Sequence, residues 1–121
     1  MLVVDDDRII VDMYQLALSR AGHDVVVAND GAAGLQIATA GGPDIVFLDI
    51  RMPKMDGIEV LRNLMASDVT RDLPVVMLSN YDDPGLVRSS LGLGAKEYLV
   101  KAGMNPADLS QVVSRWVRRP N

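Results

Sequence analysis

Short apolar runs alternate along this chain with longer stretches in which apolar residues recur every three to four positions. The runs are Leu2-Val3-Val4, Val25-Val26-Val27, Ile45-Val46-Phe47-Leu48, Val75-Val76-Met77-Leu78 and Tyr98-Leu99-Val100. Each is short and rich in β-branched or aromatic residues, which predicts a strand. After the first run, Ile9, Ile10, Met13, Leu16, Ala17 and Ala21 are spaced as one face of a helix, with Asp7 as cap and Gly22 as stop. Asn29-Asp30-Gly31 opens a weaker second helix through about Ala40, interrupted by Gly34 and ended by Gly41-Gly42-Pro43. The loop Arg51-Met52-Pro53-Lys54-Met55-Asp56-Gly57 leads to a third helix with Ile58, Leu61, Leu64 and Met65 on one face. Asp83-Pro84 joins an N-cap to a proline at the first helical position, and Leu91-Gly92-Leu93-Gly94 closes that fourth helix. Asn105-Pro106-Ala107-Asp108 repeats the start signal for a last helix with Leu109, Val112, Val113, Trp116 and Val117 as its buried stripe.

Strand and helix therefore alternate five times, which predicts a parallel sheet covered on both faces. The expected architecture is α/β, a flavodoxin-like (βα)5 doubly wound sheet with strand order 2-1-3-4-5. One domain is expected to fill residues 1–121, with no linker or repeat. In that order strands one, three, four and five lie side by side, and strand two sits at the edge.

Composition narrows the class. Apolar residues make up 49% of the chain and charged residues 23%, as in a globular domain with a proper core. A formal charge of −4 argues against nonspecific nucleic-acid binding. The absence of cysteine removes disulfide and thiolate chemistry, and Asp5-Asp6-Asp7 stands where a signal peptide would need basic residues. No run approaches a membrane span, so a cytoplasmic location is expected.

Candidate chemistry lies where the apolar runs stop. They run into Asp5 and Asp6, Asp49, Ser79 and Lys101, whereas the edge strand ends in Ala28-Asn29. Ligands of an open parallel sheet bind outside the carboxyl ends of its strands, so these groups should share one rim. Crowded carboxylates raise one another's pKa unless a cation fills the gap. Magnesium suits hard oxygens and keeps several waters, so Asp6 and Asp49, with Asp5 acting directly or through water, would leave room for phosphoryl oxygens. Lys101 can pair with a phosphoryl group and Ser79 can donate a hydrogen bond to it. A carboxylate can itself be the nucleophile, giving an aspartyl phosphate.

With these residues in place, the chain resembles the receiver domain of two-component response regulators, of the chemotaxis-regulator kind. The matching stretches are Val3-Val4-Asp5-Asp6-Asp7, Phe47 through Gly57, Met77-Leu78-Ser79 and Gly94 through Lys101. The resemblance implies that Asp49 accepts phosphate from a sensor histidine kinase or phosphotransfer protein. It implies Mg2+ held by Asp5, Asp6, Asp49 and the backbone carbonyl of Arg51, and a phosphoryl partner in Lys101. Ser79 would pull its loop toward the phosphoryl group and Tyr98 would swing inward as the switch aromatic. The surface of helix four, strand five and helix five would carry the signal to a downstream output protein or domain, and a homodimer through that face is compatible with the same pattern.

The chain departs from the family at several positions. Ala102 stands where a proline usually follows the lysine through a cis bond; before alanine that bond should be trans or hold strain. Asn80 replaces a small residue, and Arg51 with Tyr81 fills positions that in the family tune phosphoryl lifetime, so a shielded pocket and slow hydrolysis are expected. A phosphohydrolase would need an acid at Arg51, and a flavin mononucleotide binder would need a Ser/Thr- and Gly-rich loop in place of the aspartates. A degenerate receiver, acting as an interaction module without phosphorylation, is the remaining alternative. Elsewhere the plain readings hold: Met52 and Met55 pack around Pro53, His23 is a solvated turn residue, Trp116 is core, and Arg115, Arg118 and Arg119 complement the last helix dipole. The chain is read as either a stand-alone regulator or a receiver cut from a longer protein, with an amino terminus trimmed close to strand one.

Overall fold

In the computed structural model, which describes residues 1–117, every predicted strand and helix forms. The strands are β1 (Leu2–Val4), β2 (Val26–Ala28), β3 (Val46–Asp49), β4 (Val75–Ser79) and β5 (Glu97–Val100). The helices are α1 (Arg8–Arg20), α2 (Gly31–Ala40), α3 (Gly57–Ala66), α4 (Pro84–Leu93) and α5 (Asp108–Trp116), with a 3-10 turn at Lys101–Gly103. All pairings are parallel, in the order β2-β1-β3-β4-β5. Two apolar layers result from side chains alternating across the sheet. Leu2, Val4, Val46, Leu48, Val75 and Met77 face α2, α3 and α4. Val3, Phe47, Val76 and Leu78 face α1 and α5.

Register decides what meets at the rim. Val4 pairs with Leu48, so Asp5 follows beside Asp49. Asp49 pairs with Leu78, and Ser79 pairs with Val100, which puts Lys101 one step beyond. Aspartate starts α1 through α4: Asp7, Asp30, Asp56 and Asp83 each accept backbone N–H groups of the first turn. Asp56 also brings Gly57 onto the end of β3, where a Cβ would lie 2.2 Å from the Asp49 carbonyl oxygen. Only glycine tolerates that approach, so α3 begins hard against the end of β3. Gly94 ends α4 in the left-handed region at φ 118°, as expected of a glycine stop.

Several expectations need correction. On α1 the buried residues are Val11, Tyr14 and Leu18, whereas Ile9 is 81% exposed and Met13 and Leu16 are exposed as well. Of the expected face, Ile10 and Ala17 are half-buried and Ile10 packs on the core, so the spacing rule mixed the inner face with an outer apolar one. The last helix begins at Asp108, because a turn precedes it in which Asp108 Oδ2 accepts the Asn105 backbone N–H and Asn105 Oδ1 accepts that of Ala107. His23 is half-buried, its Nε2 2.9 Å from the Ser110 hydroxyl, so it ties the α1–β2 turn to α5. Trp116 is half-buried, with its indole N–H donated to Glu97. Arg118 and Arg119 lie outside the described residues. No described helix is long and apolar enough to cross a membrane.

Candidate functional site

The carboxyl ends of β1, β3 and β4 and the turn after β5 line one cleft of about 360 Å3, bordered by Asp5, Asp6, Asp7, Asp49, Arg51, Asn80, Tyr81 and Lys101. Its centre is the Lys101 ammonium, 2.6 Å from Asp5 Oδ2 and 3.0 Å from Asp49 Oδ1. All three groups are buried. Asp5 is oriented further by its Oδ1, which accepts the Asp7 backbone N–H at 2.9 Å. Asp6 stays exposed at the mouth. The Lys101–Ala102 bond is trans, since no cis peptide occurs among the described residues.

Burial of these charges sets their protonation. Desolvation raises the Asp49 pKa most and the Asp5 carboxylate adds to it, with Asp6 contributing least; the field and hydrogen bond of Lys101 pull the other way, and the balance leaves it at about 6. For Lys101, burial works against the charged form, but the hydrogen bond to Asp5 and the fields of Asp49 and Asp5 outweigh it; its pKa is raised and it remains an ammonium. The crowding anticipated from sequence is thus present, and Lys101 relieves it only in part. Below the site lies Tyr14, buried in the α1–α5 layer. Its pKa is raised by desolvation and feels Lys101, Asp5 and Asp49. The sequence reading missed this neighbour because it placed the buried face of α1 elsewhere.

Ser79 and Tyr98 meet at one residue. The Ser79 hydroxyl oxygen accepts the Tyr81 N–H at 3.0 Å, which leaves its own O–H free to donate. The Tyr98 hydroxyl donates to the Tyr81 carbonyl at 2.7 Å. The Tyr81 ring in turn lies 4.9 Å below the Arg51 guanidinium, closing one side of the cleft.

The donor set fits a small hard cation. Asp5, Asp6 and Asp49 each offer an oxygen, and these atoms lie within 4.8 Å of one another. Two oxygens on one Mg2+ sit at most about 4.2 Å apart, so small side-chain adjustments would suffice.

The family model described as the response regulator receiver domain matches residues 1–114. The chain is 37% identical over 118 residues to the alkaline phosphatase synthesis transcriptional regulatory protein PhoP of Bacillus subtilis, covering 98% of this chain and 48% of that protein. It is 36% identical over 114 residues to the response regulator MprA of Mycobacterium leprae, covering 94% and 47%. The chain thus spans about half the length of the curated relatives it matches. Among solved structures, the chemotaxis protein CheY4 of Vibrio cholerae superposes with a TM-score of 0.88 at 30% identity, covering 96% of each chain. The receiver domain of the sensor histidine kinase PA1611 of Pseudomonas aeruginosa, solved with a magnesium ion in its active-site cleft, gives 0.85 at 26% identity, covering 95% and 93%. Fold order, strand-end chemistry and these matches agree: the chain belongs to the receiver domains of response regulators.

Proposed function

We propose that this domain is the phosphoacceptor of a two-component pathway, with Asp49 as the acceptor. An Asp49 carboxylate oxygen attacks the phosphorus of a phosphohistidine on a sensor kinase or phosphotransfer protein. The P–N bond breaks, its electron pair stays on the imidazole, and an aspartyl phosphate forms. The observation that carries this reading is the buried ammonium of Lys101 between Asp5 and Asp49, with the cleft open above it. Asp49 is mostly ionised at pH 7 with a pKa of about 6, so it can act as nucleophile.

Asp5, Asp6, Asp49 and the Arg51 carbonyl would hold Mg2+. That ion would neutralise charge on the phosphoryl oxygens. Lys101 pairs with the transferred group, and the free Ser79 O–H donates to it. Because Ser79 also holds the Tyr81 N–H, its movement toward Asp49 draws the β4–α4 loop, and Tyr98 follows through the Tyr81 carbonyl. A downstream output protein or domain reads the α4, β5 and α5 face, where a homodimer could also form; the domain itself makes no nucleic-acid contact and works in the cytoplasm.

Intact-mass measurement after incubation with acetyl phosphate and Mg2+ tests this. Wild type should gain one phosphoryl group, and Asp49→Ala none. No adduct on either protein would replace the switch with a phosphorylation-independent interaction module.

A further inference from the structure

β5 is the edge strand that carries Lys101 toward the site, and its four residues are all only half-buried. Its side chains reach in two directions. Tyr98 points into the layer shared with α2, α3 and α4, and ties the strand to Tyr81 beside the cleft. Glu97 points to the opposite layer and is spent entirely on the last turn of α5. One of its carboxylate oxygens pairs with Arg115 Nη1 at 2.5 Å, and the other accepts the Trp116 indole N–H. Lys96, one residue earlier, sits 5.8 Å over the same indole ring. The final turn of α5 is therefore clasped by the first residue of β5 and the residue just before it.

This clasp is stronger than a surface ion pair. Trp116 is half-buried, so its N–H needs an acceptor, and Glu97 is the acceptor it finds. The Arg115 pair adds a charged bond to the same carboxylate. Meanwhile Lys101 is shared by Asp5 and Asp49, and a phosphoryl group on Asp49 would change what it pairs with. A strand held on one side only can shift along its axis more readily than β1, β3 or β4, which are paired on both sides.

We propose that Glu97 is the coupling residue that hands a change at Asp49 and Lys101 to the last turn of α5, and that Trp116 reports it. This rests on the phosphoacceptor reading above. It assigns Glu97 no part in the chemistry, only the transmission from β5 to the last turn of α5. A purely structural staple would fix α5 equally before and after phosphorylation; a coupling residue makes the response of Trp116 depend on it.

Trp116 is the single tryptophan of the chain, so its fluorescence reads one position. The test follows that emission while acetyl phosphate and Mg2+ are added, with the adduct counted by intact mass on the same samples. Wild type should change its emission in step with the adduct. Glu97→Ala should gain the same adduct while its emission change falls to about a third or less. Glu97→Gln still accepts the indole N–H and should retain most of the change, which separates lost coupling from a damaged fold. Equal responses in wild type and Glu97→Ala, or an adduct on wild type without any emission change, would overturn the coupling alone. No adduct on wild type would overturn the phosphoacceptor reading, and the coupling with it.

Discussion

The two halves of the site stand on very different foundations. The acidic half belongs to β1 and β3, central strands whose every residue is buried and which are hydrogen-bonded on both sides. The basic half belongs to β5, an edge strand of half-buried residues paired to β4 alone. Asp5 and Asp49 are thereby fixed by the core, whereas Lys101 and Tyr98 depend on a strand with a neighbour on one side only. A switch needs this asymmetry: chemistry must be pre-organised, and the response must not be.

The largest expected effect separates the two foundations directly. Phe47 is fully buried in β3 and Leu99 half-buried in β5. Phe47→Ala should destabilise by about 3–5 kcal/mol, and Leu99→Ala by about 1 kcal/mol, as fits partial burial. Urea unfolding of both variants measures the gap, and equal losses would erase the distinction between centre and edge.

Next comes the electrostatic load of the acidic half. A rise of the Asp49 pKa from 3.8 to about 6 means the folded state holds the proton more tightly than the unfolded chain does. Stability is thus lost as pH climbs from about 4 to 6, and the deficit stays constant above that. Asp49→Asn removes the titration, so it should be more stable than wild type by about 2–3 kcal/mol at pH 7.5 without divalent cations. The two proteins should converge near pH 4, and Mg2+ should narrow the gap by stabilising wild type only. A difference that does not change with pH would refute the buried-charge account.

How much of this asymmetry was legible in the sequence follows from what each signal encodes. Strand ends were readable because an apolar run stopping at Asp5, Asp49, Ser79 or Lys101 marks a rim in any parallel sheet, and the register of β1, β3, β4 and β5 brings those residues together. The buried face of α1 was not, because Ile9, Met13 and Leu16 satisfy helical spacing as well as Val11, Tyr14 and Leu18 do. Spacing shows that a face is apolar and says nothing about which apolar face meets the sheet. Tyr81 was singled out only for its position, which in the family tunes phosphoryl lifetime. Its bonds to Ser79 and Tyr98 rest on backbone groups, which every residue possesses and no sequence distinguishes; only its contact with Arg51 uses the ring.

The contact between Arg51 and Tyr81 bridges the two halves over the cleft, and a smaller effect is expected there. An exposed cation–π contact contributes about 0.5–1 kcal/mol, so Tyr81→Ala should hasten loss of the phosphoryl group by about two- to fivefold. Arg51→Ala should do the same. The double variant should be little faster than either single one, because both remove one shared contact. Decay of the adduct, followed by intact mass after removing acetyl phosphate, provides the comparison. Fully multiplicative effects would mean that the two side chains act separately.

The smallest effect concerns the tie between β5 and the loop. Tyr98→Phe deletes the hydroxyl that donates to the Tyr81 carbonyl and leaves the ring to pack as before. The freed carbonyl is at an exposed position and can bond to water, so the loss should be only about 0.5 kcal/mol. What distinguishes this bond is where its loss is felt. β3 is locked on both sides and should keep its amide protection, whereas β5 has one neighbouring strand and loses its side-chain anchor to the loop. Hydrogen exchange should therefore quicken in β5 and leave β3 unchanged. If β3 and β5 quicken alike, the edge strand opens only with the whole domain, and Lys101 is as firmly founded as the carboxylates it faces.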